Sequence, residues 1–293
     1  MGIRGLAIAG SILASVISTH AKAAGTTELT WAIPSFPPAY IEQDNTLTGY
    51  AAETQKWLMA RLPQYKHLMK KVPLARLLAE MRSEELRCSL TLIPTRERRD
   101  YIYFANPILI SLPPSVVVLA RQLPAFQPYL NDRNEIDIDR LLADANMNTA
   151  IRLGRSYGQY VDAAIRKYRH HSNIITVGSD EKFIQLLEMG RLDWIMYLPA
   201  EAEFHHRKAE YKNEIISLPI ARMTPLITAT LGCSKNEAGK QVIDAVNAIL
   251  KDYPDMPWTQ FYQAWLPEKD RLRYQQILKT ITTATLSQIN PPS

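Results

Sequence analysis

Glycine is scarce in this chain, 11 residues in 293, and no P-loop or dinucleotide fingerprint occurs among them. Cysteine is scarcer: Cys88 and Cys233 are the only two, too few and too distant for a structural zinc site. Four of the six histidines fall in adjacent pairs, His170-His171 and His205-His206. Neighbouring side chains on one element diverge, so neither pair reads as a metal site. No cofactor is expected. Charge of one sign is not in excess either, since 34 Lys and Arg face 29 Asp and Glu, for a formal +5 spread along the chain. That is no nucleic-acid footprint. Beyond the N-terminus there is no apolar run of the roughly 20 residues needed to span a bilayer.

The N-terminus itself has a pattern. "MGIRGLAIAGSILASVISTHAKAA" carries a basic start at Arg4, an apolar stretch from Leu6 to Ile17 and a small-x-small end at Ala21-Lys22-Ala23. This reads as a secretory signal peptide over residues 1–23, and the apolar stretch is too short for a membrane anchor. No Cys lies near the cleavage point, so no lipid anchor is expected. Cleavage leaves 270 residues and, without Arg4 and Lys22, a charge of +3. The expected location is the periplasm. Export permits a disulfide between Cys88 and Cys233; the alternative is two buried free thiols. A bridge would close a loop of 145 residues, worth up to about 5 kcal/mol in the chain-entropy model.

Strand-like and helix-like segments alternate through the rest, which predicts an α/β fold. "ELTWAI" reads as a strand, "GYAAETQKWLMARL" as a helix, "PLARLLAEMRSEE" as a helix opened by Pro73, and "CSLTLI" as a buried strand. After "SVVVLAR" a loop, "QLPAFQPYLNDRNE", leads into a second series: "TAIRL", "YGQYVDAAIRKY", "NIITV", "DEKFIQLLEMGRL", "WIMYL" and a short helix around 200–206. "ISLPIARMTPLITATLGCSK" then returns as extended chain, followed by helices to the C-terminus. The chain leaves a first lobe near 119 and re-enters it near 222. The expected organisation is lobe 1 from 24–118 with 222–293, and lobe 2 from 119–221. A hinge between them would make a cleft, where small ligands bind.

The stretch "TLIPTRERRDYIYFANPI" places Arg96, Arg98 and Arg99 within four positions. Taken in order, Phe36-Pro37-Pro38-Ala39, "LTGY" at 47–50, Pro73-Leu74, "TRER" at 95–98 before Phe104-Ala105-Asn106-Pro107, "LGRSY" at 153–157 and "GRLDW" at 190–194 resemble the extracellular solute-binding proteins of family 3, the amino-acid type. The ordered set spans nearly all of the mature chain. The resemblance implies a type-II periplasmic-binding fold of two α/β lobes joined by two hinge strands, closing on a ligand. It implies that Arg98 clamps a carboxylate, a role suited to a planar fork of N–H donors. Arg96 and Arg99 match no binding position and are expected in solvent. A surface ion pair with Glu97 or Asp100 is the other reading of Arg98.

The same resemblance places Ser156 at a helix N-terminus facing the carboxylate, with the amides of Arg155 and Tyr157 beside it; Ser156 as a plain helix cap is the alternative. Phe36 would cover the ligand, and Trp31, Tyr40 and Tyr50 would be core or cleft wall. The departures bear on substrate. Relatives that bind α-amino acids carry an acid five positions after the Asp of "GRLD", where this chain has Leu198. Ile93-Pro94 replaces a small polar residue. Glu201 or Thr91 is available to compensate. A carboxylate-bearing ligand is therefore expected more strongly than an ordinary amino acid.

The reading from sequence is a monomeric, non-catalytic periplasmic solute-binding protein that delivers an amino-acid-like or other organic anion to an ABC-type permease or a sensor. Two alternatives stand beside it. Gly154-Arg155-Ser156-Tyr157-Gly158 matches G-x-S-x-G between a strand and a helix, and Asp193 with His205 or His206 would complete a hydrolase triad in chain order. The second is a sensor or interaction module on the same fold.

Overall fold

The computed structural model describes residues 27 to 280, apart from 45 and 84, together with Met1 and Gly2. The expected signal peptide otherwise lies outside the described residues. Among those described, no helix is long and apolar enough to cross a membrane.

The chain first lays down β1 (Thr27–Ile33), a short hairpin of β2 (Ile41–Gln43) and β3 (Thr46–Thr48), and α1 (Tyr50–Met59). There follow β4 (Tyr65–Lys71), α2 (Leu74–Glu80), β5 (Arg87–Leu92), α3 (Arg96–Arg99), β6 (Ile102–Phe104) and β7 (Leu109–Ser111). Gly49 is required where "LTGY" enters α1. Its φ is 106°, and a Cβ there would lie 2.3 Å from the Pro38 carbonyl oxygen, an approach only glycine allows. Pro73 caps α2, as the missing N–H of proline permits at a helix start.

The second series begins with β8 (Ser115–Leu119), α4 (Leu123–Phe126) and α5 (Ile138–Ala143). It continues through β9 (Thr149–Arg152), α6 (Gln159–Tyr168), β10 (Ile174–Val177), α7 (Phe183–Glu188), β11 (Ile195–Tyr197), α8 (Pro199–Lys208) and β12 (Ile215–Pro219). The loop expected after β8 is thus partly helical, through α4. The chain then returns as β13 (Ile227–Ser234) and closes with α9 (Glu237–Lys251), α10 (Thr259–Gln263) and α11 (Glu268–Thr280).

Two bodies result from the pairing. In the first sheet the order is β4-β1-β5-β13-β6, with β7 also on β13. β1 runs parallel to β4 and β5, whereas the returning β13 is antiparallel to β5, β6 and β7. The second body holds the antiparallel set β11-β8-β12 and the parallel pair β10-β9. The expected first boundary, at 118, falls inside β8, whose partners are β11 and β12. Strand pairing therefore moves the crossing upstream, to 112–114.

Burial explains why "SVVVL" reads as an unbroken apolar run. Val116 and Val118 face one core cluster with Phe126, Ile138 and Trp194, while Val117 and Leu119 face another with Phe183 and Ile195. Alternate side chains point to opposite faces, and this strand is covered on both. In the first body Leu29, Trp31, Leu58 and Val242 centre the core, each large side chain contributing on the order of 1.5–3 kcal/mol by burial. C-terminal aromatics hold the strand before the crossing: Trp258 Nε1 donates to the Ile108 carbonyl at 2.7 Å and the Tyr274 hydroxyl to that of Ile110 at 2.8 Å.

Cys88 and Cys233 sit opposite each other on β5 and β13 and are bonded, with Sγ atoms 2.04 Å apart. The free-thiol alternative is thereby ruled out. The bond ties the returning strand to the first sheet.

Candidate functional site

A cavity of about 650 Å³, measured to its open mouth, lies where the two bodies meet. All six residues expected at a binding site line it: Phe36, Thr91, Arg98, Arg155, Ser156 and Leu198. Tyr50 and Glu201 line it too.

Arg98 arrives from α3, which Thr95 starts by accepting the Arg98 amide at 3.3 Å. Its side chain turns inward and the residue is 7 % exposed. One guanidinium nitrogen donates to the Ile93 carbonyl at 2.9 Å and the other terminal nitrogen to the Gly154 carbonyl, across the cleft, at 2.7 Å. Among the described residues no carboxylate lies within ion-pair distance of it. The ion pair with Glu97 or Asp100 is not formed; Glu97 bonds Arg82 instead, at 3.1 Å. Burial holds the Arg98 pKa below its ordinary value, with weaker opposing pulls from Tyr101, Asp162 and Glu97. With two of five N–H groups on carbonyls, three remain to meet an anion. Arg96 is exposed, as expected, but Arg99 is half-buried, 5.6 Å over the Phe104 ring.

Gly154 reaches Arg98 from a turn with φ 77°, which favours glycine. The next residues correct the expectation for Ser156. Helix α6 begins three residues later, with Gly158 as its cap, so Ser156 is at neither the helix start nor the cap. Its hydroxyl donates to Asp162 at 2.5 Å and accepts from the Gly158 amide at 3.3 Å. The amides beside it are committed as well: Arg155 N–H to the Arg152 carbonyl at 3.2 Å, and Tyr157 N–H to Asp162 at 2.7 Å. Burial raises the Asp162 pKa against those hydrogen bonds. The hydrolase constellation does not assemble either. Asp193 accepts from Asn148, His206 contacts the Asn213 carbonyl, and His205 stacks on Tyr197, none of them on Ser156.

Sequence reasoning missed the ion-pair network on the second body. Arg152 and Arg155 share Asp180, at 2.9 and 3.0 Å, and Arg155 also bonds Glu201 at 2.6 Å. All four side chains are more than nine-tenths buried. Burial would lower the Arg155 pKa, but Glu201, Tyr157 and Asp180 outweigh it and the guanidinium stays firmly protonated. Glu201 stands in the first turn of α8 and accepts the Leu198 amide at 3.0 Å, so one carboxylate caps the helix and holds Arg155. The only early signal was the pair of arginines three apart at the end of β9.

Phe36 extends from the first body under these arginines, with Arg152 4.1 Å and Arg155 5.2 Å from its ring centre. Arg152 also donates to the Ser35 carbonyl at 2.8 Å, and Ser35 to Glu181 at 2.9 Å. Together with Arg98 and Gly154, these contacts bridge the two bodies. Trp31 and Tyr40 are core, and Tyr50 is cleft wall.

No family model matches the sequence, and no curated protein matches it at a significant level. Solved structures do match. A chain from the glutathione-import system of Streptococcus mutans, GshT with the cystine importer TcyBC, superposes with TM-score 0.62 at 18 % identity, covering 84 % of this chain and 100 % of its own. The arginine-, lysine-, histidine-binding protein ArtJ of Geobacillus stearothermophilus gives 0.59 at 17 % identity, covering 84 % and 99 %. A histidine kinase sensor domain similar to periplasmic binding proteins gives 0.62 at 13 %, covering 82 % and 96 %. Identities this low establish the architecture and no more: two α/β bodies around a cleft, the periplasmic-binding-protein fold.

Proposed function

We propose that this protein captures a small carboxylate-bearing solute in the cleft between its lobes and presents it to an ABC-type permease or a sensor. Lobe 1 would comprise 27–113 with 222–280, and lobe 2 114–221. The observation that carries the reading is Arg98: a buried guanidinium on the cavity wall, bonded to one carbonyl from each lobe and, among the described residues, to no carboxylate. A buried cation without a counter-ion is costly, and an anion entering the cleft supplies one. The anion stabilises the closed form because Arg98 faces both lobes only there, which shifts the population toward closure. Phe36, Thr91 and Leu198 wall the solute. Arg155 is held by Glu201 and Asp180 and shapes the cavity.

Similarity to amino-acid-binding proteins of ABC importers and to a sensor domain supports the binding role. Export by the N-terminal signal peptide belongs to the same reading. A thermal-shift screen of organic acids and amino acids, run on the wild type and on Arg98→Ala, tests it. At least one carboxylate is expected to raise the melting temperature of the wild type and not of the variant. A ligand that stabilises both equally removes Arg98 from the site.

A further inference from the structure

The ionic side chains lining the cavity are Arg98, Arg155 and Glu201. Glu201 is the sole carboxylate among them, and its charge is paired with Arg155: Oε2 accepts from Arg155 at 2.6 Å and from the Leu198 amide at 3.0 Å. Both partners of the ion pair are nearly inaccessible, at 7 % and 4 % side-chain exposure. Asp180 stands behind Arg155 and is shared with Arg152. The lining therefore keeps one uncompensated charge, the Arg98 guanidinium. Most of the remaining wall is apolar, including Leu74, Leu92, Leu109 and Ile227.

We infer that the cleft selects a monocarboxylate with an apolar aliphatic or aromatic body and no amino group. The inference rests on the proposed carboxylate-binding role of Arg98 and narrows it. Arg155 supplies, from the protein itself, the cation that Glu201 would otherwise accept from a ligand as its ammonium. An α-amino acid would bring a third cation into a cavity that already holds two guanidiniums, where the one lining carboxylate is already paired with Arg155. It would have to give up hydration without a partner. The acid lacking the amine neutralises Arg98 and buries its chain against apolar wall.

Matched pairs decide the point: 4-methylpentanoate against L-leucine, and 3-phenylpropanoate against L-phenylalanine, titrated by calorimetry into purified protein. Each acid is expected to bind at least about tenfold more tightly than its amino acid, a gap of about 1.4 kcal/mol, and to lose binding in Arg98→Ala. Amino acids that bind as well as or better than the acids, through Arg98, overturn the selectivity and leave the carboxylate role intact. Failure of both members of both pairs, or binding indifferent to Arg98→Ala, overturns the carboxylate role with it. Arg155→Met releases Glu201 and is expected to shift the acid-to-amine preference at least about tenfold toward the amino acid. An unchanged ratio in a folded variant contradicts the assignment of Arg155, and if the variant does not fold, the wild-type ranking decides alone.

Discussion

Two buried charges in one cavity behave oppositely because their partners differ. Glu201 is paired to Arg155 and caps α8, so Glu201→Leu leaves the buried Arg155 only the Asp180 it shares with Arg152 and strands a helix-end amide. Removing one partner of a buried pair costs about 3–5 kcal/mol. Arg98 gives up only two hydrogen bonds to carbonyls when it is replaced, and its charge has no counter-ion to strand. Arg98→Met is expected to cost the ligand-free protein about 2 kcal/mol or less. Urea midpoints of the two variants check the contrast; equal losses would mean that Arg98 is a structural cation. The sequence made Arg98 visible because "TRER" is a local pattern. The Arg152, Arg155, Asp180 and Glu201 network was not visible, because its ion-paired partners lie 25 to 46 positions apart and no short motif joins them.

Helix α8 links the cavity to both cores: Ala200 packs in the first-lobe cluster and Ala202 in a second-lobe cluster. His205, one turn after Glu201, is buried against Tyr197 with ring centres 5.2 Å apart and planes 14° from parallel. Burial lowers its pKa from 6.5, against opposing pulls from Glu201, Asp180 and Glu181. The unfolded chain therefore takes up a proton first as pH falls below about 6.5, and the stability His205 contributes above that pH is lost as pH drops through the folded value. His205→Phe keeps the stacked ring without the titration. Between pH 7.5 and 5.5 the wild type should lose more stability than the variant, measured as the change in urea midpoint; parallel losses would place the acid sensitivity elsewhere.

Element positions were largely legible, since helical spacing gave α1 and α2 and apolar runs gave β5, β8 and β11. Strand β4 was not. Its sequence, "YKHLMKK", carries three lysines on an exposed sheet edge, where lysine discourages strand-to-strand aggregation and erases the apolar alternation that marks a strand. The helix start at "LGRSY" was misplaced because Asp162 folds back onto Ser156 and Tyr157, consuming donors that would otherwise lead into the helix.

The molecule as a whole is two lobes joined by two crossings, with a covalent tie on one side only. Cys88 and Cys233 join β5 to β13 inside the first sheet. A bond spanning 145 positions limits the unfolded chain and is worth up to about 5 kcal/mol. The double variant Cys88→Ala, Cys233→Ala should be less stable to denaturant by up to that amount, yet rank ligands as the wild type does, because neither residue lines the cavity. A changed ligand ranking would tie the disulfide to the cleft. Across the cleft the ties are polar: Arg98 to Gly154, Arg152 to Ser35 and Ser35 to Glu181. On the proposed reading, a ligand that meets Arg98 acts on these ties together. The most direct measurement is calorimetric titration of 4-methylpentanoate into the wild type, Ser156→Ala and Arg98→Ala. Arg98→Ala is expected to weaken binding by about a hundredfold or more, as loss of a buried charged partner does. Ser156→Ala should change it only a few-fold, its hydroxyl already being given to Asp162. Equal affinity in the wild type and Arg98→Ala would contradict the account.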